Sequence, residues 1–345
     1  MFSLKKRLIK KDNNYSRFEK SFKTKTGTSF INGNPDRISI NKSCSIIIPF
    51  YKNYSFFKEN LIALQRQELP KSNVEIIVVN DGFSVDLDRI IDKTAKVYPI
   101  TYLKLKKNYG RAAARNLGLI YAKNDIVIFL DEDIVAPKDF FLNHLIRHNF
   151  CDSCVVVGLR ENISIKDLSH CNRQPNFKKD FRYKKFIPNN WKNVYRNVPE
   201  DHFGRWCFPM KESDYFKKFG KERIVGIWTL PWMFIACNVS IPRKDIFKVG
   251  GFDTRFKGWG MEDVHLGAKL IASGLYLVPN LTTTVYHLIH ELSVEETRDR
   301  AEEFTRNREL FNQLKKEPFI IFSEGEWKKK VKKHFANKFT IKYFE

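Results

Sequence analysis

Short, wholly apolar runs recur along the first half of the chain, each followed by a stretch whose apolar positions fall three or four apart. Cys44-Ser-Ile-Ile-Ile-Pro-Phe50, Val74-Glu-Ile-Ile-Val-Val79, Ile100 to Leu105 and Ile126-Val-Ile-Phe-Leu130 have the length and β-branched content of strands. Between them Ser55 to Gln67, Val85 to Tyr98 and Gly110 to Ala122 read as helices. Strands apolar on both faces, alternating with helices, predict an α/β fold with a mostly parallel central sheet covered on both sides. Ligands of such sheets bind beyond the carboxyl ends of the strands, where Pro49-Phe-Tyr51, Asn80-Asp-Gly82 and Asp131-Glu-Asp133 open on one crevice. No G-x-G-x-x-G follows the first strand, so the dinucleotide fingerprint is absent.

The pattern loosens over residues 151–230, which are rich in Asn, Lys, Phe and Trp and predict a variable insertion or an acceptor-facing lobe. Order returns with Phe234 to Ile241 and Leu275 to Val278 as strands and Val264 to Ser273 as a helix, and a charged helix is expected over 293–316. Residues 1–42 are polar and basic without sustained periodicity, and predict a flexible arm.

Charge changes the picture only at the ends. The 345 residues carry a formal net charge of +22, of which residues 1–30 hold +7 and residues 327–345 hold +6. The excess therefore avoids the sheet loops, and with no nucleic-acid module recognisable the composition argues against a nucleic-acid binder. No apolar window reaches the roughly 20 residues of a membrane span, and the N-terminus lacks a signal peptide's apolar segment, so a cytoplasmic protein is expected. Six cysteines do not make a disulfide scaffold at this length. Cys151-Asp-Ser-Cys154, with His170, Cys171 and Cys207 downstream, has zinc-ligand spacing, but no second C-x-x-C exists and reduced structural thiols are expected.

Three adjacent carboxylates at the end of a core strand raise one another's pKa values unless a cation neutralises them. Asp131 and Asp133 are spaced to hold Mn2+ or Mg2+, hard ions that take oxygen ligands and phosphate together, whereas any single D-x-D is also compatible with a solvated loop. Arg111 and Arg115 lie one helical turn apart, with alanines between them that allow a ligand close. In Val249-Gly-Gly-Phe-Asp-Thr-Arg-Phe-Lys-Gly-Trp-Gly-Met-Glu-Asp263, flexible glycines flank an aromatic platform, Trp259, and an acidic pair, Glu262 and Asp263, opens a helix. A carboxylate there suits a general base, or else simply caps the helix dipole. His287 or His290 could complete the coordination of a cation.

As a set, Ser45-Ile-Ile-Ile-Pro-Phe-Tyr, Val78-Val-Asn-Asp-Gly, Asn108-x-Gly-x-x-x-Ala-Arg-Asn116 and Phe129-Leu-Asp-Glu-Asp133 resemble the nucleotide-sugar half of family 2 glycosyltransferases with the GT-A fold. Gly250-Gly-Phe-Asp through Gly258-Trp-Gly-Met-Glu-Asp263 resembles the C-terminal segment of chondroitin-type polymerases, animal galactosyltransferases and polypeptide N-acetylgalactosaminyltransferases. The resemblance covers residues 44–150 and 231–290. It implies a metal-dependent, inverting transferase that moves a hexose or N-acetylhexosamine from a UDP-sugar to an acceptor hydroxyl. Pro49, Tyr51 and Asp81 would cradle the uridine, with Arg111 and Arg115 near the phosphates and Asn238 bordering the donor sugar. Asp131 would face the ribose and the metal, Asp133 and His287 would bind the metal, with His290 close by, and Asp263 would be the base, with Glu262 and Trp259 against donor sugar or acceptor. The organisation this implies is a basic arm (1–42), a nucleotide-sugar half (43–150), an insertion (151–230), an acceptor and catalytic half (231–292) and a helical basic extension (293–345).

A carbohydrate or glycolipid acceptor, in surface polysaccharide synthesis, is the first expectation and a peptide acceptor the second. Trp327, Val331, Phe335 and Phe339 are spaced four apart among lysines. That stripe fits a helix on an anionic membrane surface, or equally a helix docked on the protein itself.

Overall fold

The computed structural model describes residues 2–8, 11, 13–35, 38–168, 173–186, 209–210, 225–226 and 230–345. Nine strands form one sheet: β1 (Cys44–Phe50), β2 (Val74–Asn80), β3 (Ile100–Leu105), β4 (Ile126–Leu130), β5 (Ile134–Val135), β6 (Cys154–Ile163), β7 (Asn238–Pro242), β8 (Tyr276–Leu288) and β9 (Phe339–Phe344). Their spatial order is β9-β3-β2-β1-β4-β7-β6-β8-β5. The fold is α/β, as the apolar runs predict. The β3-β2-β1-β4 half is parallel, whereas β7 runs antiparallel to both β4 and β6 and so stitches the second half of the chain onto the first.

Alternation within the strands explains the two layers. Ile46 and Ile48 join the apolar cluster on one face, together with Phe57 and Leu61 of α1 (Tyr54–Leu64) and Ile90 and Ile91 of α2 (Asp88–Ala95). Ile47, Ile77 and Phe129 point the other way, against Ala114 and Leu117 of α3 (Arg111–Tyr121) and Leu266 and Leu270 of a later helix (Glu262–Ser273). Parallel register sets Phe50 opposite Asn80 and Ile47 opposite Phe129, so β1 and β2 end at one level and β4 stops two residues before it.

Both basic ends depart from the sequence reading. The N-terminal segment is not a loose arm: Tyr15, Phe22, Phe30 and Ile31 are buried in the main core, around a helix over Ser16–Thr26. Lysines line its exposed face while a few aromatics carry the packing, a division periodicity registers poorly.

At the other end the helix covers only Glu324–Phe335, opened by a capping box of Ser323 and Glu326. Asn337, at φ 58°, turns the chain, and residues 339–344 become β9, antiparallel to β3. Trp327, Val331 and Phe335 are buried, Trp327 against Phe247 at 5.2 Å. Of the two expectations for the stripe, the helix docked on the protein itself is the one observed. Among the described residues no helix is long and apolar enough to cross a membrane.

Candidate active site

The acidic turn is built by hydrogen bonds at its back. After β4, the Ile134 N–H donates to the Asp131 carbonyl (3.2 Å), and the buried Asn60 amide donates to the carbonyls of Asp131 (3.1 Å) and Ile134 (2.8 Å). β5 then pairs with β8, placing Ile134 opposite His287, and the Leu288 N–H donates to the Asp133 carbonyl (2.9 Å). This register carries both histidines to Asp133, whose Oδ2 lies 2.7 Å from His290 Nε2 and 3.4 Å from His287 Nε2. Burial opposes charge on Asp133, but the two imidazoles outweigh it and hold the carboxyl well below its usual range.

Asp133 Oδ1 is buried with no hydrogen-bond partner. An orphaned carboxylate oxygen beside two imidazoles, with Asp131 at the same turn, is a donor set that suits Mn2+ or Mg2+. As the side chains stand, no group of three such donors among the described residues surrounds a common point.

The second half of the chain reaches this turn through Arg115. Its guanidinium is buried, donating to Asp131 Oδ1 at 2.7 Å and to Glu262 Oε1 at 3.2 Å, over the Phe252 ring. Arg111 Nε lies 3.8 Å from the same Glu262 oxygen but its side chain is 42% exposed, against 3% for Arg115. Removing one member of a buried ion pair leaves the other charge uncompensated. Arg115→Leu is therefore expected to destabilise the fold by about 3–5 kcal/mol, read from urea unfolding.

Glu262 and Asp263 open the helix over Glu262–Ser273 directly after Met261, which takes φ 75°. Asp263 is half-buried; desolvation and then the neighbouring Glu262 charge push its carboxyl up to about 7, against the pull of Arg115. The glycines before it are held rather than flexible: Gly258 (φ 71°) and Gly260 (φ 90°) need the left-handed region, and a Cβ on Gly258 would sit 2.1 Å from the Glu303 carboxyl carbon. Trp259 stands 39% exposed on this loop.

Across the crevice, Asp81 accepts from the backbone N–H of Tyr109 (2.7 Å) and Gly110 (2.9 Å), which fixes the start of α3 and so the two arginines. Burial nevertheless raises its carboxyl, although those two bonds lower it. Pro49 is partly buried in β1, and Tyr51 is exposed at the mouth, 5.8 Å from Phe83.

Asn238, expected beside the donor sugar, lies inside the sheet. It is fully buried, its amide donating to the carbonyls of Leu159 (3.1 Å) and Thr283 (2.8 Å) while Oδ1 meets His144 Nε2 (3.0 Å). Both amide protons are used in joining β6, β7 and β8.

Two residues were missed. Glu132 accepts from the Tyr51 N–H (2.8 Å) and the Asn53 amide (3.2 Å), tying the β1 loop to the β4 loop, and burial raises its carboxyl to about 8. Asn60 carries no motif, and only its place inside an apolar helix face, at Leu61 minus one, signalled a buried polar role. The Cys151 and Cys154 thiols are buried, Cys154 Sγ donating to the Cys151 carbonyl; the other suggested zinc ligands, His170, Cys171 and Cys207, lie outside the described residues.

The glycosyl transferase family 2 profile matches residues 45–211, and the profile described as N-terminal domain of galactosyltransferase matches residues 229–291. Residues 45–211 are thus a family 2 glycosyltransferase segment, followed by a galactosyltransferase-like one. It is 29% identical over 245 residues to chondroitin synthase of Pasteurella multocida, covering 69% of this chain and 24% of that one. The matched segments span 24% to 61% of the lengths of the first curated relatives.

Among solved structures, the mannosyltransferase PcManGT of Pyrobaculum calidifontis, in complex with GDP-Man and Mn2+, gives a TM-score of 0.52 at 16% identity, over 88% of this chain and 74% of that one. TarS 1-349 of S. aureus in complex with UDP-GlcNAc gives 0.50 at 15% identity, over 86% and 72%. The architecture is the GT-A fold of these neighbours.

Proposed function

We propose that this glycosyltransferase moves a hexose or N-acetylhexosamine from a UDP-sugar to a hydroxyl of a carbohydrate acceptor, with a divalent cation and inversion at the anomeric carbon. The observation that carries the reading is Arg115, which clasps Asp131 at the end of β4 to Glu262 at the head of the later helix. One buried cation thereby joins the donor-side and acceptor-side motifs in a single crevice.

Asp81, Pro49 and Tyr51 line the side where the nucleoside rests. Arg115 is buried and already paired with two carboxylates, so its task is to neutralise them; Arg111, far more open, is the cation that meets the diphosphate. Asp133, His287, His290 and Asp131 are the residues that would hold Mn2+ or Mg2+, which when bound supplies charge stabilisation for the departing diphosphate. The acceptor oxygen forms its bond to the anomeric carbon as the carbon–oxygen bond to the diphosphate breaks on the opposite face, and Asp263 takes the hydroxyl proton. A base poised near neutrality is matched to that transfer. Mn2+ and UDP-GlcNAc in the complexes of two structural neighbours support the cation and the donor class.

The test is a hydrolysis screen with Mn2+ over UDP-glucose, UDP-galactose, UDP-GlcNAc, UDP-GalNAc and GDP-mannose, because slow attack by water reports the donor without an acceptor. Release of UDP from one of them is expected. Turnover of GDP-mannose alone sinks the uridine assignment, and inertness toward all five sinks the reading.

A further inference from the structure

The loop that carries Trp259 is pinned by one face of a helix that the catalytic motifs do not include. That helix, Val294–Leu314, starts at a capping box of Ser293 and Glu296 and is largely exposed, with Asn307, Phe311 and Leu314 buried one turn apart. Phe311 and Leu314 account for its docking. Asn307 does not: an apolar side chain would serve the packing better, and burying an amide is costly unless its hydrogen bonds are made.

Those bonds go to the loop. Asn307 Nδ2 donates to the carbonyls of Lys257 (2.9 Å), Trp259 (3.1 Å) and Gly260 (3.0 Å), two protons shared among three acceptors. One turn earlier, Glu303 Oε2 accepts the Trp259 N–H at 2.7 Å, and Phe304 backs the indole at 5.5 Å. The backbone from Lys257 to Gly260 is thus fixed while the indole remains exposed. Two residues further on are Glu262, which holds Arg115, and Asp263.

We propose that Glu303 and Asn307 are positioning residues that set the Trp259 indole, and through it a pyranose acceptor, against Asp263. The proposal rests on the glycosyltransferase reading above. An exposed indole on a rigid backbone offers a flat apolar face to the C–H side of a pyranose ring, and its distance from the base decides whether the acceptor hydroxyl lies in line. Neither residue touches the substrate.

The full chain is compared with Glu303→Ala, Glu303→Gln and Asn307→Ala, using the UDP-sugar that the wild type hydrolyses and a panel of methyl hexopyranosides as acceptor probes. The ratio of transfer to hydrolysis is expected to fall about tenfold or more in the two alanine variants, with KM for the donor within about twofold and Glu303→Gln close to wild type. Amide exchange over 257–260 is expected to quicken in the alanine variants alone.

An unchanged ratio, an equal loss of transfer and hydrolysis, unchanged exchange, or a wild type that hydrolyses donor but glycosylates none of the pyranosides overturns the proposal. A wild type that hydrolyses no donor fails the parent reading instead, and the exchange measurement then still tests the brace.

Discussion

Asp263→Asn is expected to bind the UDP-sugar as the wild type does while transfer to an acceptor falls by about 10²- to 10⁴-fold, the range a positioned general base supplies. The substitution is nearly isosteric and leaves the Glu262–Arg115–Asp131 ion pairs in place, so donor affinity by calorimetry should be unaltered. The pH profile is the sharper readout. Desolvation and the Glu262 charge put the Asp263 carboxyl at about 7, and a base works only when deprotonated. Transfer by the wild type should therefore rise as pH increases toward about 7 and level off above it, and the Asn variant should lose that limb. Near-normal turnover by Asp263→Asn, or a rising limb that survives the substitution, removes Asp263 from the role and leaves Glu262 as the remaining carboxylate at the helix start.

The two halves of the fold differed in how openly the sequence declared them. Ile100–Leu105 and Ile126–Leu130 are observed with the bounds the apolar runs predict, because Pro99 and Lys106, and Asp125 and Asp131, stop the runs at either end. β8 extends over Tyr276–Leu288, but only its first residues read as strand; Pro279, Asn280 and Thr282 to Thr284 interrupt the apolar run. Those polar groups are satisfied locally: Asn280 donates to the Asn143 carbonyl and accepts from Thr282, at a register shift between Asn280 and Val285. β6 fell inside the segment read as an insertion, where Arg160 and Glu161 mask an otherwise apolar run.

The site was legible where its chemistry is local. Asp131, Asp133, Arg115, Glu262 and Asp263 announce themselves in short motifs, and the structure links Asp131, Arg115 and Glu262 in one chain of contacts, while Asp133 is met by His287 and His290. What holds them in place was not legible. Asn60 grips the acidic turn from 71 residues away, and Glu303 grips the Trp259 amide from 44 away, each by bonding backbone atoms that any residue offers. Backbone-directed support leaves no pattern of side-chain types to recognise, whereas ligand-directed chemistry does. Asn238 shows the converse, a residue that resembled a ligand contact but whose amide is consumed in the sheet.

Asp133→Ala is expected to remove the response of donor binding to Mn2+. In the wild type Mn2+ should tighten binding of the UDP-sugar by about 10²-fold, the scale on which one electrostatic partner of a developing or bound anion is felt. Asp133 is the residue on which this depends because both imidazoles converge on its Oδ2 while its Oδ1 is buried and unpaired. Its carboxyl, held low by the two histidines, stays ionised at any working pH, so the donor is ready without a proton first being lost. Titration of Mn2+ followed by its electron paramagnetic resonance signal, with the UDP-sugar present, measures the loss directly and independently of turnover. His290→Ala should weaken the cation more than His287→Ala, since the shorter contact is His290's and His287 also faces the Asn162 side chain at 3.1 Å. Retention of Mn2+ by Asp133→Ala, with loss on Asp131→Ala alone, would move the cation to the Arg115 side of the turn and release the histidines to a structural role in joining β5 to β8.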